Sequence, residues 1–297
     1  MFVIKYKTFF ITLSALFVLA GISAAAVFGL PLGIDFKGGS QVQVLYTQER
    51  PDAPQIKTLL AQAGFTEATV QPTGERGIII KTQSLTEPQK QALVAALGTG
   101  VTEQGVTTIG PSVGAELKHK AVLSIILVLC AIICFVAYAF RKVSRPVSSW
   151  KYGLAVIIAL IHDIAIPLGA FAVISHVKGV EVDTLFVVAL LTTLALSISD
   201  TIVVFDRIRE HLSTDAKKGK PFETIVGESL NETFARSINT SLMVLVMVIT
   251  LALVGPKSTQ LFATVLAIGM FFGTYSSIFL ASPLLVLFER MQKTKAL

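Results

Sequence analysis

Charge is scarce in this chain. Of 297 residues only 15% are Asp, Glu, Lys or Arg, while 53% are hydrophobic. That balance argues against a water-soluble globule and for an integral membrane protein. Cysteine is nearly absent. Cys130 and Cys134 both fall inside one apolar run, so a disulfide scaffold is not indicated. No histidine or carboxylate lies near them in sequence, which argues against a metal site; two buried, inert thiols are expected. The chain has no Walker phosphate loop, no Rossmann glycine fingerprint, no Gly-x-Ser-x-Gly elbow and no His-Glu-x-x-His. With no cofactor motif and no nucleotide loop, an ion gradient is favoured over ATP as any energy source. The formal net charge of +6 does not indicate nucleic acid. Much of the basic excess borders apolar runs, where it orients a membrane chain.

Long apolar runs are what the chain has instead. Lys5 and Lys7 precede Phe9–Leu30, about 33 Å as a helix. A leader cut near Ala24-Ala25-Ala26 is the rival reading, but the run is long for a signal segment and more spans follow. Further spans are expected at Ala121–Phe140, Tyr152–Ile174, Asp183–Phe205, Ala235–Val254 and Gln260–Phe288. Arg141, Lys142, Arg145 and Lys151, then Lys217, Lys218 and Lys220, then Arg290, Lys293 and Lys295 put every basic cluster on one side. The rule that places such clusters in the cytoplasm gives six spans with both termini cytoplasmic.

Residues 33–116 read differently. Ser40–Thr47 alternates as a strand. Asp52 and Gln55 form a candidate capping box before the helical stripe Ile56, Leu59, Leu60, Ala63, which Gly64 ends. Glu67–Gln71 and Gly77–Thr82 read as strands joined through Pro72–Arg76. Thr86 and Gln89 form a second capping box, with Pro88 in the first turn and Leu93, Ala96 and Leu97 inward. Val106–Ile109 is a last short strand. The order βαββαβ is the ferredoxin-like split pattern. The expected division is therefore 1–32, first span; 33–116, an α+β domain outside the membrane; and 117–297, spans two to six.

Four constellations are candidates for function. Asp200 lies within an apolar span, where a charged carboxylate costs about 2.5–3.5 kcal/mol on insertion scales. Thr193 and Ser197 share its helix face. Arg236 enters the fifth span at similar depth and continues onto Asn239 and Thr240. Burial and a nearby guanidinium pull a carboxyl in opposite directions, so an Asp200–Arg236 pair fits either a proton relay or a static lock on helix register. His162 and Asp163 occupy the third span with Pro167. Being adjacent, they should point about 100° apart and each need another partner; a structural hydrogen bond and a place in the relay both remain open. Gly269, Gly273, Ser277 and Ala281, and Ala189, Thr193, Ser197 and Thr201, recur every fourth residue, rows that let helices approach closely. Finally Gly33–Gly39, GIDFKGG, reads as a tight turn or a hinge, with Asp35, Gly38 and Gly39 its candidate residues.

These motifs resemble the SecD/SecF family of protein-export membrane proteins, in the RND superfamily. GIDFKGG, GPSVGAEL at 110–117, ALIHD at 159–163, SISDTIVVFDRIRE at 197–210 and GTYSSIFLASPLL at 273–285 occur in the family's order along nearly the whole chain. The resemblance implies an α-helical six-span half of an RND-type assembly, with its small ferredoxin-like domain periplasmic between helices 1 and 2. It implies a non-enzymatic subunit of the bacterial inner membrane that uses the proton-motive force to assist late protein translocation. It implies SecD as partner, beside the SecYEG channel, YajC and YidC, with an unfolded translocating polypeptide and membrane lipid as contacts. Asp200 and Arg236 then carry protons, the coupling ion, with no cofactor. Half of an RND transporter for lipids or small solutes is the alternative.

Overall fold

The computed structural model describes residues 2–141, 147–214 and 219–294. Lys142, Arg145, Lys217, Lys218 and Lys295 of the basic clusters lie outside the described residues. The chain divides into two compact units: a helical unit of residues 1–30, 125–177 and 185–297, and an α+β unit of residues 31–124 and 178–184.

In chain order the first elements are α1 (Phe2–Lys5), α2 (Lys7–Phe28), α3 (Ile34–Lys37), β1 (Gly39–Tyr46), α4 (Ala53–Gln62), β2 (Thr69–Thr73), β3 (Gly77–Thr82), α5 (Glu87–Ala96) and β4 (Val101–Ile109). The four strands form one sheet in the order β2-β3-β1-β4, every neighbouring pair antiparallel. This is the order that a split βαββαβ chain produces. Val42, Val44, Ile78 and Ile80 on the sheet, Ile56 and Leu60 on α4 and Leu93 on α5 form its core, all fully buried. The Thr86–Gln89 capping box is formed, the Gln89 side chain accepting from the Thr86 N–H at 2.9 Å. The one expected at Asp52 is not: Asp52 is the N-cap residue but makes no side-chain cap bond. The last strand is longer than its Val106–Ile109 core suggested. It begins at Val101 and passes a bulge opposite Gln43 and Val44, where the polar run Thr102-Glu103-Gln104-Gly105 hides the alternation.

Then come α6 (Pro111–Ala139), α7 (Ser149–Lys178), α8 (Thr184–Thr214), α9 (Phe222–Val254), α10 (Lys257–Ser276), a π-helical turn Ser277–Ala281 and α11 (Ser282–Thr294). Among the described residues six helical segments are long and apolar enough to cross a membrane: Lys7–Phe28, Pro111–Ala139, Trp150–Lys178, Thr184–Thr214, Phe222–Val254 and Lys257–Gln292. The protein is a multi-pass membrane protein. Two elements overrun their apolar cores. α6 starts at Pro111, in the GPSVGAEL motif, because proline suits a first helical position. The stretch between the expected spans Asp183–Phe205 and Ala235–Val254 is mostly helix: α8 runs on to Thr214 and α9 starts at Phe222. Its charges pair along and between these ends, Arg207 with Glu210 and Glu232, and Arg209 with Asp206.

The core of the helical unit holds Phe140, Tyr152, Phe205, Ile208, Leu194 and Leu285 among others. At its charged ends Glu223 of α9 takes Lys7 of α2 at 2.8 Å and Arg290 of α11 at 2.6 Å. Cys130 and Cys134 are free and exposed on α6, not buried as the sequence suggests; they sit on a face that no other described part of the chain covers.

Candidate functional site

The two rows of small residues meet each other. An ideal Cβ on Gly269 of α10 would stand 2.2 Å from the Thr193 hydroxyl of α8, and one on Gly273 would stand 3.0 Å from the Ser197 Cβ. One turn on, Thr201 and Ser277 place their hydroxyl oxygens 2.8 Å apart. The three steps advance together by four residues on each helix, so α8 and α10 run parallel with their backbones almost in contact. Only glycine on α10 leaves room for hydroxyl side chains on α8.

Third-span residues close the same cluster from α7. Asp163 accepts a short hydrogen bond from the Ser197 hydroxyl, and its other oxygen lies 3.0 Å from Nδ1 of His162. Both side chains are wholly buried. Adjacent residues on a helix were expected to need separate partners; the structure corrects this. The 100° between their Cβ directions is bridged because Nδ1 lies close to the backbone and the carboxylate swings along the helix surface toward it. Asp163 thus has both partners, while His162 Nε2 has none among the described residues. Tyr275 of α10 stacks on His162, ring centroids 5.9 Å apart, and its hydroxyl donates to the Phe10 carbonyl of α2 at 3.3 Å. At this level α10 passes into its π-helical turn. There the Ser277 hydroxyl donates to the carbonyls of Gly273 at 3.0 Å and, across on α8, Ser197 at 3.1 Å.

Asp200 is next on α8 but faces α9. It is half-buried and accepts from the Ser241 hydroxyl at 2.9 Å. Arg236 stands within Coulomb range of it, yet no ion pair joins them within 4.0 Å; the guanidinium lies on an exposed part of α9. The expected Asp–Arg pair is therefore a longer-range one, with Ser241 in contact. Thr193 and Ser197 belong to the α10-facing cluster rather than to Asp200. Asn239 and Thr240 are exposed, and the Thr240 hydroxyl bonds back to the Arg236 carbonyl at 2.6 Å rather than to Asp200, whose hydroxyl donor is Ser241. Sequence reasoning missed Ser241, although Ser229, Thr233, Ser237 and Ser241 recur every fourth residue and are all buried, a row as regular as the two it did use.

The GIDFKGG stretch is tightly held inside the α+β unit. Gly38 and Gly39 have φ of +78° and +146°, values natural only to glycine. A Cβ on Gly38 would meet the Pro111 backbone at 2.8 Å, and one on Gly114 would meet Gly38 N at 2.7 Å, so GIDFKGG and GPSVGAEL interlock backbone to backbone. Asp35 accepts from the Thr184 N–H at 2.8 Å and the Thr184 hydroxyl at 2.7 Å. Val182 pairs with the segment just before it, and Lys81 of β3 bonds Glu181 at 3.0 Å. Among the described residues no group of three or more His, Cys, Asp or Glu could hold a metal ion.

Comparison with known proteins bears on all these stretches. A family model described as protein export membrane protein SecD/SecF, C-terminal, matches residues 89–291, and the SecD/SecF GG motif matches residues 24–49. The protein translocase subunit SecF of Thermobaculum terrenum is 40% identical over 97% of this chain and 93% of its own length. That of Anaerolinea thermophila is 35% identical, covering 94% and 91%. Among solved structures, SecDF of Thermus thermophilus, a translocon-associated membrane protein, superposes with a TM-score of 0.85 at 28% identity. The match takes in 97% of this chain but 38% of that one, so this chain spans about two-fifths of that larger protein. On these matches, which run through the glycine motif, the α+β unit and every span, the chain belongs to the SecD/SecF family of protein-export membrane proteins.

Proposed function

We propose that this chain is the proton-responsive half of a SecD/SecF assembly, with Asp200 as its exchangeable proton site and Arg236 as the charge that tunes it. Translocase subunits that match along nearly their whole length favour protein export over a lipid or small-solute transporter. The observation that carries the coupling role is Asp200 itself. It is a half-buried carboxyl in an apolar span, held by a neutral hydroxyl, with Arg236 acting on it electrostatically but not in an ion pair. A carboxyl so placed changes its net charge by gaining or losing a proton, whereas a locked ion pair would not. Moving that proton through the membrane potential yields about 2.3 kcal/mol per 100 mV.

In this reading the chain sits in the bacterial inner membrane with both termini cytoplasmic and the α+β unit periplasmic. SecD supplies the other half; SecYEG is the channel served, with YajC and YidC as neighbours. The chain performs no catalysis and needs no cofactor, protons being the coupling ion. Asp35, Gly38 and Gly39 fix the glycine motif within the α+β unit, Asp35 through its bonds to Thr184.

The test is Asp200→Asn in a reconstituted complex. The variant should assemble with SecD as well as the unsubstituted chain and lose gradient-stimulated export. Export undiminished by the substitution contradicts the proposal.

A further inference from the structure

We propose that His162 and Asp163 form a second proton-binding site in the helical unit, separate from Asp200, holding one proton as an imidazolium–carboxylate pair. The site goes beyond the role given to Asp200 and does not depend on it.

The argument rests on charge and enclosure. Both side chains are wholly buried, in contact at 3.0 Å. From α8 the pair is faced by the Ser197 hydroxyl, which bonds Asp163. From α10 it is faced by the Tyr275 ring, a neutral phenol whose own hydroxyl is engaged by Phe10 and by Ser14 of α2. Among the described residues no lysine or arginine pairs with Asp163. If both residues followed their solution habits at neutral pH, a lone negative charge would be sealed among helices. That state costs several kcal/mol even after relaxation. One proton removes it. On the imidazole, that proton makes a neutral pair with two charge-assisted bonds to Asp163.

The unpartnered Nε2 of His162 marks where the proton enters and leaves. Release puts the Nε2 proton on water and leaves a neutral imidazole beside a carboxylate, which then needs solvent. Separation of α10 from α7 and α8 would admit it. The α8–α10 contact is built from glycines, hydroxyls and a π-helical turn, while toward α7 the Tyr275 and Phe272 rings of α10 cover His162; π-helical turns are frequent at functional sites. A cavity of about 230 Å³ has both Ser241 and Tyr275 on its wall. The hydroxyl that holds Asp200 and the ring that covers His162 therefore border one space.

The test uses the full chain in lipid nanodiscs with ¹⁵N-labelled histidine. Four histidines give signals, and His162 is the one lost in His162→Gln. The expected result is an imidazolium at neutral pH that becomes neutral imidazole in Asp163→Asn while persisting in Asp200→Asn. A neutral His162 in the unsubstituted chain, or one indifferent to Asp163→Asn, overturns the proposal. Should the Asp163 variant fail to fold, the unsubstituted spectrum still decides. In the assembled complex, His162→Gln keeps a side chain that can bond Asp163 but holds no proton, and gradient-stimulated export should fall at least about tenfold, a 1.4 kcal/mol effect on the coupled step. Full stimulation in that variant overturns the exchange role. Normal export in Asp200→Asn together with an imidazolium at His162 would instead remove the role of Asp200 and leave this site standing.

Discussion

Asp35 and Asp200 are both carboxylates that accept from a hydroxyl on a neighbouring element, yet they serve opposite ends. Asp35 takes two donors from one residue, the N–H and hydroxyl of Thr184, and so fixes backbone. Asp35→Ala removes both bonds, and because they are exposed water can take the donors, so stability should fall by only about 0.5–1.5 kcal/mol, with Asp35→Asn, which keeps an acceptor oxygen, closer to the original. Denaturant unfolding of the purified chain checks this, and equal stability of Asp35→Ala would refute the anchoring role. Asp200 takes one donor, Ser241, and Ser241→Ala should change the pH profile of export more than it changes assembly. Tyr46 offers a pH test away from the membrane. Burial raises its pKa above 10.0, so the folded state binds the phenol proton more tightly than the unfolded chain does. Stability from this group is whole below pH 10.0 and is lost as pH rises through the folded value. Tyr46→Phe should abolish that alkaline step, seen as a flatter dependence of unfolding on pH.

At the scale of elements, glycine decides which helices touch. Besides Gly269 and Gly273, Gly169 of α7 packs on Gly21 of α2 so closely that a Cβ on Gly169 would lie 2.3 Å from the Gly21 Cα. Gly269→Ala or Gly169→Ala should therefore cost about 1–3 kcal/mol through overpacking. Gly153→Ala, with open space around the new methyl, should match or exceed the original stability, since alanine is the better helix former. Thermal unfolding in detergent separates these outcomes; tolerance of Gly269→Ala would mean the α8–α10 contact is looser than described. These close contacts were legible as four-residue rows on two helices, because small residues at that spacing have few other uses. What the rows could not give was the partner. The buried hydroxyl row of α9 went unread because hydroxyls also serve to bond their own helix, as Thr233 does to Ser229 at 2.9 Å. Cβ directions alone do not give the His162–Asp163 pair, which forms at 3.0 Å, because they do not measure the reach of a side chain. Arg236 makes no ion pair with Asp200 for the converse reason: at an exposed helix position a long side chain can keep its charge in solvent.

For the molecule as a whole, hydrophobic run length located six membrane helices, and two-residue and four-residue periodicities located a split α+β unit, because each is set by local geometry. Helix ends were less legible, since α6, α8 and α9 extend on polar residues that pair with one another. The arrangement has a direct consequence for topology. Gly74→Cys, in the β2–β3 turn, should react with an impermeant thiol reagent in cells whose outer barrier is opened. Lys220→Cys, before α9, should react only once the inner membrane is breached; the reverse pattern would invert the proposed orientation. The central claim, that a titratable acid in the fourth span couples this chain to a proton gradient, is reached most directly by measuring proton flux. In liposomes holding the chain with its SecD half, an imposed potential should drive proton uptake that Asp200→Asn abolishes without loss of assembly. Uptake that continues at the original rate through the Asp200→Asn complex would contradict the account.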